Sequence, residues 1–499
     1  MLLATTHRSL RIAFSSRPYS SLFIQDSFAK NTLHVLDVGR RFLKFSAIGL
    51  FLLGTTAATA YEAVHQYVEH VELSPAVDPD VQKWEWQNAN SCNWTSDPRK
   101  GGTDPSIGFR ARHIVRAAWM ASNWGVGYST AAVDSGTKHN EGLAGPGGIK
   151  VIDAGLQRME DFLRSVIRLA AENRDLNPRT LRDLLLCHAS VLERLGESFC
   201  ADSKTEYERA WALFPSHGPD AARVAWKLGN LNLRLRQADD ALVWWSRAIM
   251  LSCGRGDGPE KQIPVLPDVP PSSPQAQRTL TSTLVSLSAF YATSGQFRKA
   301  QEVEETALNL IRSITPPDSL ASATPAQALH ALYLLHRSSL LSIHLAEVLH
   351  AQKQPPIVSL QWLSAAAESS ERVAKALTRL PIDNFHNRPP VLQVNDKPLL
   401  DMFKSSRPMH KTATALLRDA TRSAAEAWNL MGALHEAQGG SDSPSEKALE
   451  CYQRAVEWAS TTSPQPDAKR ASDGILEADW NLIWSNYNRL QRAKQNKSA

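Results

Sequence analysis

Cysteine is scarce in this chain of 499 residues: Cys92, Cys187, Cys200, Cys253 and Cys451 stand far apart, and no pair has a C-x-x-C spacing. Zinc knuckles and thioredoxin-like redox sites need that spacing, so neither is supported and the thiols read as buried or incidental. Acids are missing from the first 25 residues, and no basic stripe of the kind that tracks a nucleic acid appears in the rest. The formal charge of +5 is local: Arg8, Arg11, Arg17, Lys30, Arg40, Arg41 and Lys44 face only Asp26 and Asp37 in residues 1–60, while the remainder holds 48 basic and 48 acidic residues. Strand patterns are nearly absent, which leaves an all-α fold. Catalytic signatures are wanting too: His435-Glu436 lacks the second histidine of H-E-x-x-H, and no G-x-S-x-G elbow occurs. Gly145-Pro146-Gly147-Gly148-Ile149-Lys150 lacks the order of a phosphate loop, and no strand precedes it. The chain reads as a non-enzyme without cofactor or metal.

What the N-terminus does have is three arginines among many serines and threonines, a composition that suits a mitochondrial transit peptide. Arg17-Pro18-Tyr19-Ser20 is similar to the cleavage site of matrix presequences, which places the cut after Tyr19 and leaves 20–41 as a matrix-side arm. Residues 42–60 follow, apolar apart from Lys44, Ser46 and a few threonines. At a rise of 1.5 Å per residue that stretch spans roughly 28 Å, about one hydrocarbon thickness. Thr55, Thr56 and Thr59 can return their hydroxyls to the helix backbone, and Lys44 can snorkel. Arg40, Arg41 and Lys44 crowd one flank while Glu62, Glu69 and Glu72 lie beyond the other. The positive-inside rule then leaves the arm in the matrix and everything beyond about Tyr61 in the intermembrane space, on a single-pass inner-membrane protein. A secretory h-region ending at Ala58-Thr59-Ala60 and a buried core helix are the competing readings. Some 40 preceding residues argue against the first, and length with flanking charge against the second.

Residues 61–150 form a neck that carries Trp84, Trp86, Trp94, Trp119 and Trp124, five of the 14 tryptophans. Pro75 and Pro79 end the first helix, and Arg112 to Ser122 reads as a short one. Trp84 and Trp86 can lie at lipid headgroups or fill a packed cap. Trp119 and Trp124 are too far along the chain for a headgroup belt, which favours the cap. The stretch 125–150 reads as a flexible loop.

From Val151 the pattern is helical, with Ile152, Leu156, Met159, Leu163, Val166 and Ala170 at three- and four-residue steps. The helices repeat. Leu228, Gly229, Ala241, Trp245 and Ala248 keep intervals that return in Leu287, Ser288, Tyr291, Ala300 and Ala307. They return again in Trp428, Met431, Gly432, Ala448, Tyr452 and Ala455. Tyr207, Ala210 and Pro215 are a degenerate copy with Ser203, and Trp480, Ile483 and Tyr487 fit one closing helix. Small residues at fixed places let paired helices approach, and large ones fill the grooves left. This pattern resembles the tetratricopeptide repeat (TPR), a helix pair of about 34 residues. The expected fold is therefore a TPR-like α-solenoid over 151–490, preceded by one transmembrane helix. Pro-rich insertions at 253–274 and 381–408 read as loops, and 491–499 as a disordered tail. His330, His336, His344 and His350 read as residues of a solvated face.

By resemblance, the groove-facing positions of the clearest copy are Arg223, Trp226, Asn230, Leu233 and Arg234. Two arginines, an amide and an indole suit an acidic or carboxylate-bearing protein ligand. The alternative for Trp226 is packing on the neighbouring repeat. The layout of leader, single span, tryptophan neck and TPR array resembles the fungal mitochondrial TPR adaptor subunits of the inner-membrane i-AAA protease complex. That resemblance implies binding of the protease, sister subunits and unfolded substrates, with no nucleic acid and no small-molecule substrate. A TPR assembly factor for a respiratory-chain complex, and an enzyme with a site hidden in 61–150, are the rival readings.

Overall fold

A computed structural model describes residues 26–75, 78–88, 92–95, 100–125, 132–134, 150–152, 154–173, 176–215, 217–255, 264–320, 322–378, 398–438, 446–461 and 474–498. The readings for the leader, residues 135–149 and most of the second Pro-rich insertion lie outside them. The chain divides into two units, residues 1–66 and 67–499.

The first unit is helix α1 (Asp26–Tyr67), which runs on past the boundary by one residue. Among the described residues it is the one helix long and apolar enough to cross a membrane, its most apolar 18-residue stretch having a mean hydropathy of 1.4. Its large apolar side chains, from Leu33 to Leu53, all face outward. The threonine hydroxyls go back to the backbone: Thr56 and Thr59 donate to Leu52 O and Thr55 O at 2.8 Å, and Thr55 donates to Leu52 O at 2.9 Å. Each hydroxyl is thus paired without water, as a hydrocarbon setting requires. Arg41 pairs with Asp37 at 2.8 Å near the basic end.

The second unit opens with a π-helical turn, Val68–Glu72. The helices after it are α2 (Pro79–Lys83), α3 (Gly108–Trp124), α4 (Ala154–Ala171), α5 (Pro178–Leu195), α6 (Cys200–Ala212), α7 (Pro219–Arg234) and α8 (Ala238–Ser252). Then come α9 (Pro274–Thr293), α10 (Phe297–Ser313), α11 (Pro325–Ala351), α12 (Pro356–Leu377), α13 (Leu399–Met402), α14 (Arg407–Gln438), α15 (Glu446–Thr461) and α16 (Gly474–Ser498). A three-residue antiparallel pair, β1 (Ala132–Asp134) and β2 (Lys150–Ile152), is the only sheet among the described residues.

From α5 onward the helices pair in sequence: α5 with α6, α7 with α8, α9 with α10, α11 with α12, α14 with α15. The first helices of successive pairs also touch, α7 with α9, α9 with α11 and α11 with α14. This is an all-α, TPR-like solenoid. Proline starts five of its helices, at Pro178, Pro219, Pro274, Pro325 and Pro356, where a missing N–H costs nothing. Asn177, Ser273 and Thr324 cap three of them.

Two nests show why the intervals matter. A Cβ on Gly229 would lie 2.4 Å from Trp245 Cδ1, and one on Gly432 would lie 2.7 Å from Tyr452 Cε1. Each glycine lets an aromatic ring from the second helix rest on the backbone of the first. Three turns close alike: Arg236, Gly295 and Lys353 take positive φ of 61°, 73° and 60°. The following glutamines, Gln237, Gln296 and Gln354, donate their amides to Asn232 O, Tyr291 O and Leu349 O at 2.8, 2.8 and 3.0 Å. The third of these turns makes α11 and α12 a further repeat, with Ala346 in the small position and Ser359 Oγ donating to its carbonyl at 3.0 Å.

Three expectations need correction. The insertion expected as loop over 381–408 holds α13 and the start of α14, because Leu399 and Phe403 are buried and Pro408 sits in a first turn that tolerates it. The tail expected to be disordered from 491 continues α16 as far as Ser498. Its Gln, Arg, Ala and Lys residues are good helix formers. His330 and His336 are not on a solvated face but buried, at 4% and 2% exposure; His344 is half-buried and His350 exposed.

Candidate functional site

The first helices of the pairs present one shared face, and side chains link it across three of them. Trp226 on α7 donates its indole N–H to Ser286 Oγ on α9 at 3.1 Å. One turn earlier on α9, Ser282 Oγ lies 2.8 Å from the Tyr333 hydroxyl on α11. Arg337 Nη2 donates to that hydroxyl at 3.0 Å while the guanidinium lies 4.8 Å from the ring centroid. Burial pushes the Tyr333 phenol up, but the charges of Arg337 and Arg278 and the hydrogen bonds from Ser282 and Arg337 outweigh it and leave it below its ordinary value.

Of the five sequence-predicted groove residues, Arg223, Trp226 and Asn230 are half-buried, and Leu233 and Arg234 are exposed. Asn230 Oδ1 accepts the Trp245 indole N–H at 3.1 Å, so it also braces the nest over Gly229. Trp226 is spanned by Lys227, whose Nζ lies 5.2 Å from the ring centroid and 3.1 Å from Glu193 on α5. Arg223 acts electrostatically on Cys92, Tyr207 and Arg278, which places its charge beside the neck segment that crosses this face. The structure therefore gathers Trp226 into the packing between pairs and Asn230 into the packing within its own pair, and leaves Leu233 and Arg234 exposed at the end of α7.

The neck covers part of the face. Trp86 is fully buried and donates its indole N–H to Ala326 O at 2.8 Å. Arg278 on α9 lies over the Trp86 ring at 3.9 Å and donates to Trp84 O and Glu85 O at 3.1 Å each. Glu85, with a positive φ of 54°, accepts from Ser273 Oγ and from the Gln275 amide at 2.5 and 2.8 Å. A carboxylate there meets the positive end of α9. Burial pulls Arg278 down to about 10, so it stays charged at neutral pH. His330 receives Arg278 Nη1 on Nδ1 at 3.2 Å and has Nε2 2.8 Å from Gln277 Oε1. Arginine cannot accept, so Nδ1 offers a lone pair and Nε2 carries the proton. Burial and the Arg278 charge hold this neutral ring down at about 3.

Nearer α1 the neck is fixed by Glu69, whose carboxylate takes Thr103 N and Oγ1 at 2.9 and 2.8 Å and Arg112 Nη2 at 2.7 Å. Burial raises its pKa, but the bonds to Arg112 and Thr103 win and hold it below the usual range. Arg407 at the start of α14 binds Glu72 at 2.6 Å and lies over Trp119 at 4.5 Å. Further on, Glu371 on α12 accepts the indoles of Trp428 and Trp458 at 2.7 and 3.0 Å, with Arg454 at 3.4 Å.

No group of three or more His, Cys, Asp or Glu side chains able to hold a metal ion occurs among the described residues. Sequence reasoning missed two features. The glutamine after a left-handed residue recurs as Arg236-Gln237, Gly295-Gln296 and Lys353-Gln354, a signal present in the letters but hidden because the residue before it varies. The contact between Cys92 and Cys187, 95 residues apart, left no trace in spacing.

No family model matches the chain, and no curated protein matches it in sequence. Among solved structures, a human IFIT1 dimer with PPP-AAAA is similar at 12% identity, covering 87% of this chain and 99% of that one with a TM-score of 0.22. The repeat assignment stands on the helix pairing and the nests, not on that likeness.

Proposed function

We propose that this chain is a non-catalytic adaptor, anchored in the mitochondrial inner membrane by α1, whose TPR-like array captures proteins in the intermembrane space and delivers them to an i-AAA protease. The observation that carries the binding role is the line of Trp226, Ser286, Ser282, Tyr333 and Arg337 across three first helices, with Leu233 and Arg234 open beside it. A stacked-helix face of this kind accepts an extended or helical polypeptide. Arg234 and Arg337 favour one with acidic side chains or a free C-terminal carboxylate. The apolar, outward-facing span with basic residues before it and acids after it supports the anchored, matrix-to-intermembrane-space topology. The resemblance in layout to the fungal i-AAA adaptor subunits supplies the protease.

Affinity capture of the tagged full chain from mitochondria tests this, together with protease accessibility of the array before and after outer-membrane rupture. Recovery of an AAA protease, and an array cleaved only after rupture, is the expected result. Respiratory-complex subunits in place of the protease would sink the adaptor reading in favour of an assembly factor. Leu233→Ala with Arg234→Ala should leave the fold intact and weaken capture about tenfold or more, the scale of a lost charge-assisted contact.

A further inference from the structure

Cys92, in the neck, and Cys187, on α5, lie 95 residues apart in sequence and meet in the fold: the Cys92 thiol donates to the Cys187 carbonyl oxygen at 3.9 Å. Both are free thiols; Cys92 is half-buried, while Cys187 is buried. Around them stand cations from three helices, Lys411 on α14, Arg194 on α5 and Arg223 on α7. The remaining cysteines, Cys200, Cys253 and Cys451, show no such partner among the described residues. We propose that Cys92 and Cys187 form a redox-sensitive pair whose oxidation to a disulfide staples the neck to the first helix of the opening repeat.

The chemistry is thiol–disulfide exchange with a protein or glutathione disulfide as oxidant. Cys92 loses its proton, and its thiolate attacks one sulfur of the oxidant. The oxidant S–S bond breaks, and the released thiolate takes up a proton. Cys187 then loses its proton and attacks Cys92 Sγ in the mixed disulfide, expelling the second thiolate, which is protonated in turn. Two protein thiols are oxidised, one external disulfide is reduced to two thiols, and protons balance. The order follows from the surroundings. The adjoining Cys187 side chain lowers Cys92, and although burial opposes this, Lys411, Arg194 and Arg223 lower it further; burial pushes Cys187 well up. Cys92 is the thiol ready to attack, and Cys187 the one held in place to resolve. The pair is independent of where the protein resides or what the array binds.

The experiment uses the full chain, reduced, then exchanged into excess oxidised glutathione. The sample is quenched with acid, blocked with N-ethylmaleimide and mapped by mass spectrometry without reduction. The expected result is a cross-linked peptide pair carrying Cys92 and Cys187, reversed by dithiothreitol. Cys92→Ser or Cys187→Ser should each abolish it, and Cys200→Ser, Cys253→Ser and Cys451→Ser should retain it. The same oxidation in urea should scatter the pairings, showing that the fold directs them. A glutathione adduct that persists on Cys92 in the wild-type chain would overturn the proposal. So would both thiols blocked as maleimides, or Cys92 joined to another cysteine in the folded chain.

Discussion

Gly229 and Gly432 each hold open the space for one ring, and the consequence is a sharp intolerance. A methyl at either position has no room beside Trp245 or Tyr452. Gly229→Ala and Gly432→Ala should each destabilise the array by about 1–3 kcal/mol in urea titrations, the usual cost of overpacking. The copy on α9 and α10 departs from this plan. Glu304 stands where the other copies have Trp245 and Tyr452, over Ser288 instead of glycine. Its carboxyl is fully buried with no hydrogen-bond partner, since Ser288 Oγ donates to Val285 O. Burial, with the charges of Glu347 and Glu305, raises Glu304 to about 8. Between its ordinary pKa and that value the unfolded chain has released the proton while the folded one keeps it, so stability falls as pH rises through this window. Glu304→Gln should remove that slope and stabilise the protein at pH 9 by on the order of 2–4 kcal/mol, read from urea midpoints at several pH values. His330 and His336, both held at about 3, work the opposite way: their contribution is lost as pH falls from about 6.5 toward 3.

Helices and turns divide what the letters disclose from what they conceal. Leu228, Gly229, Ala241, Trp245 and Ala248 reveal a nested pair because each steric role needs one kind of side chain at one interval. The α11–α12 pair stayed obscure because its small residue is Ala346 and its second helix carries Leu363 where an aromatic would announce itself. The histidines misled for a different reason. Polarity predicts exposure, yet His330 and His336 satisfy their ring nitrogens on Gln277, Arg278 and Ser423, partners that only tertiary structure supplies. The sequence leaves Trp226 open between the groove and packing on the neighbouring repeat; nothing near it in sequence foretells Ser286 as the partner. Turn chemistry yields its own test. Arg236 and Lys353 hold a left-handed conformation that side chains resist, so Arg236→Gly and Lys353→Gly should each raise stability by about 0.5–1 kcal/mol by calorimetry.

Across the larger unit, contacts run beyond neighbouring repeats. A plain solenoid is held by adjacent interfaces and can fray from either end. Here Trp86, Glu85 and Arg278 tie the neck to α9 and α11, and Arg407 ties it to α14. Trp86→Ala should therefore cost about 3–5 kcal/mol and broaden a single urea transition, as the repeats lose their common tie. Retention of one sharp transition in that variant would show that the neck is a passenger.

The indole of Trp86 reaches a carbonyl 240 residues further along. A ribosome adds about 5–20 residues each second. Two large aromatic rings, Trp84 and Trp86, therefore leave the exit tunnel some ten to fifty seconds, as a rough span, before their docking place does. Throughout that interval they are bare apolar surface, and a holding chaperone is the natural companion of the newborn chain.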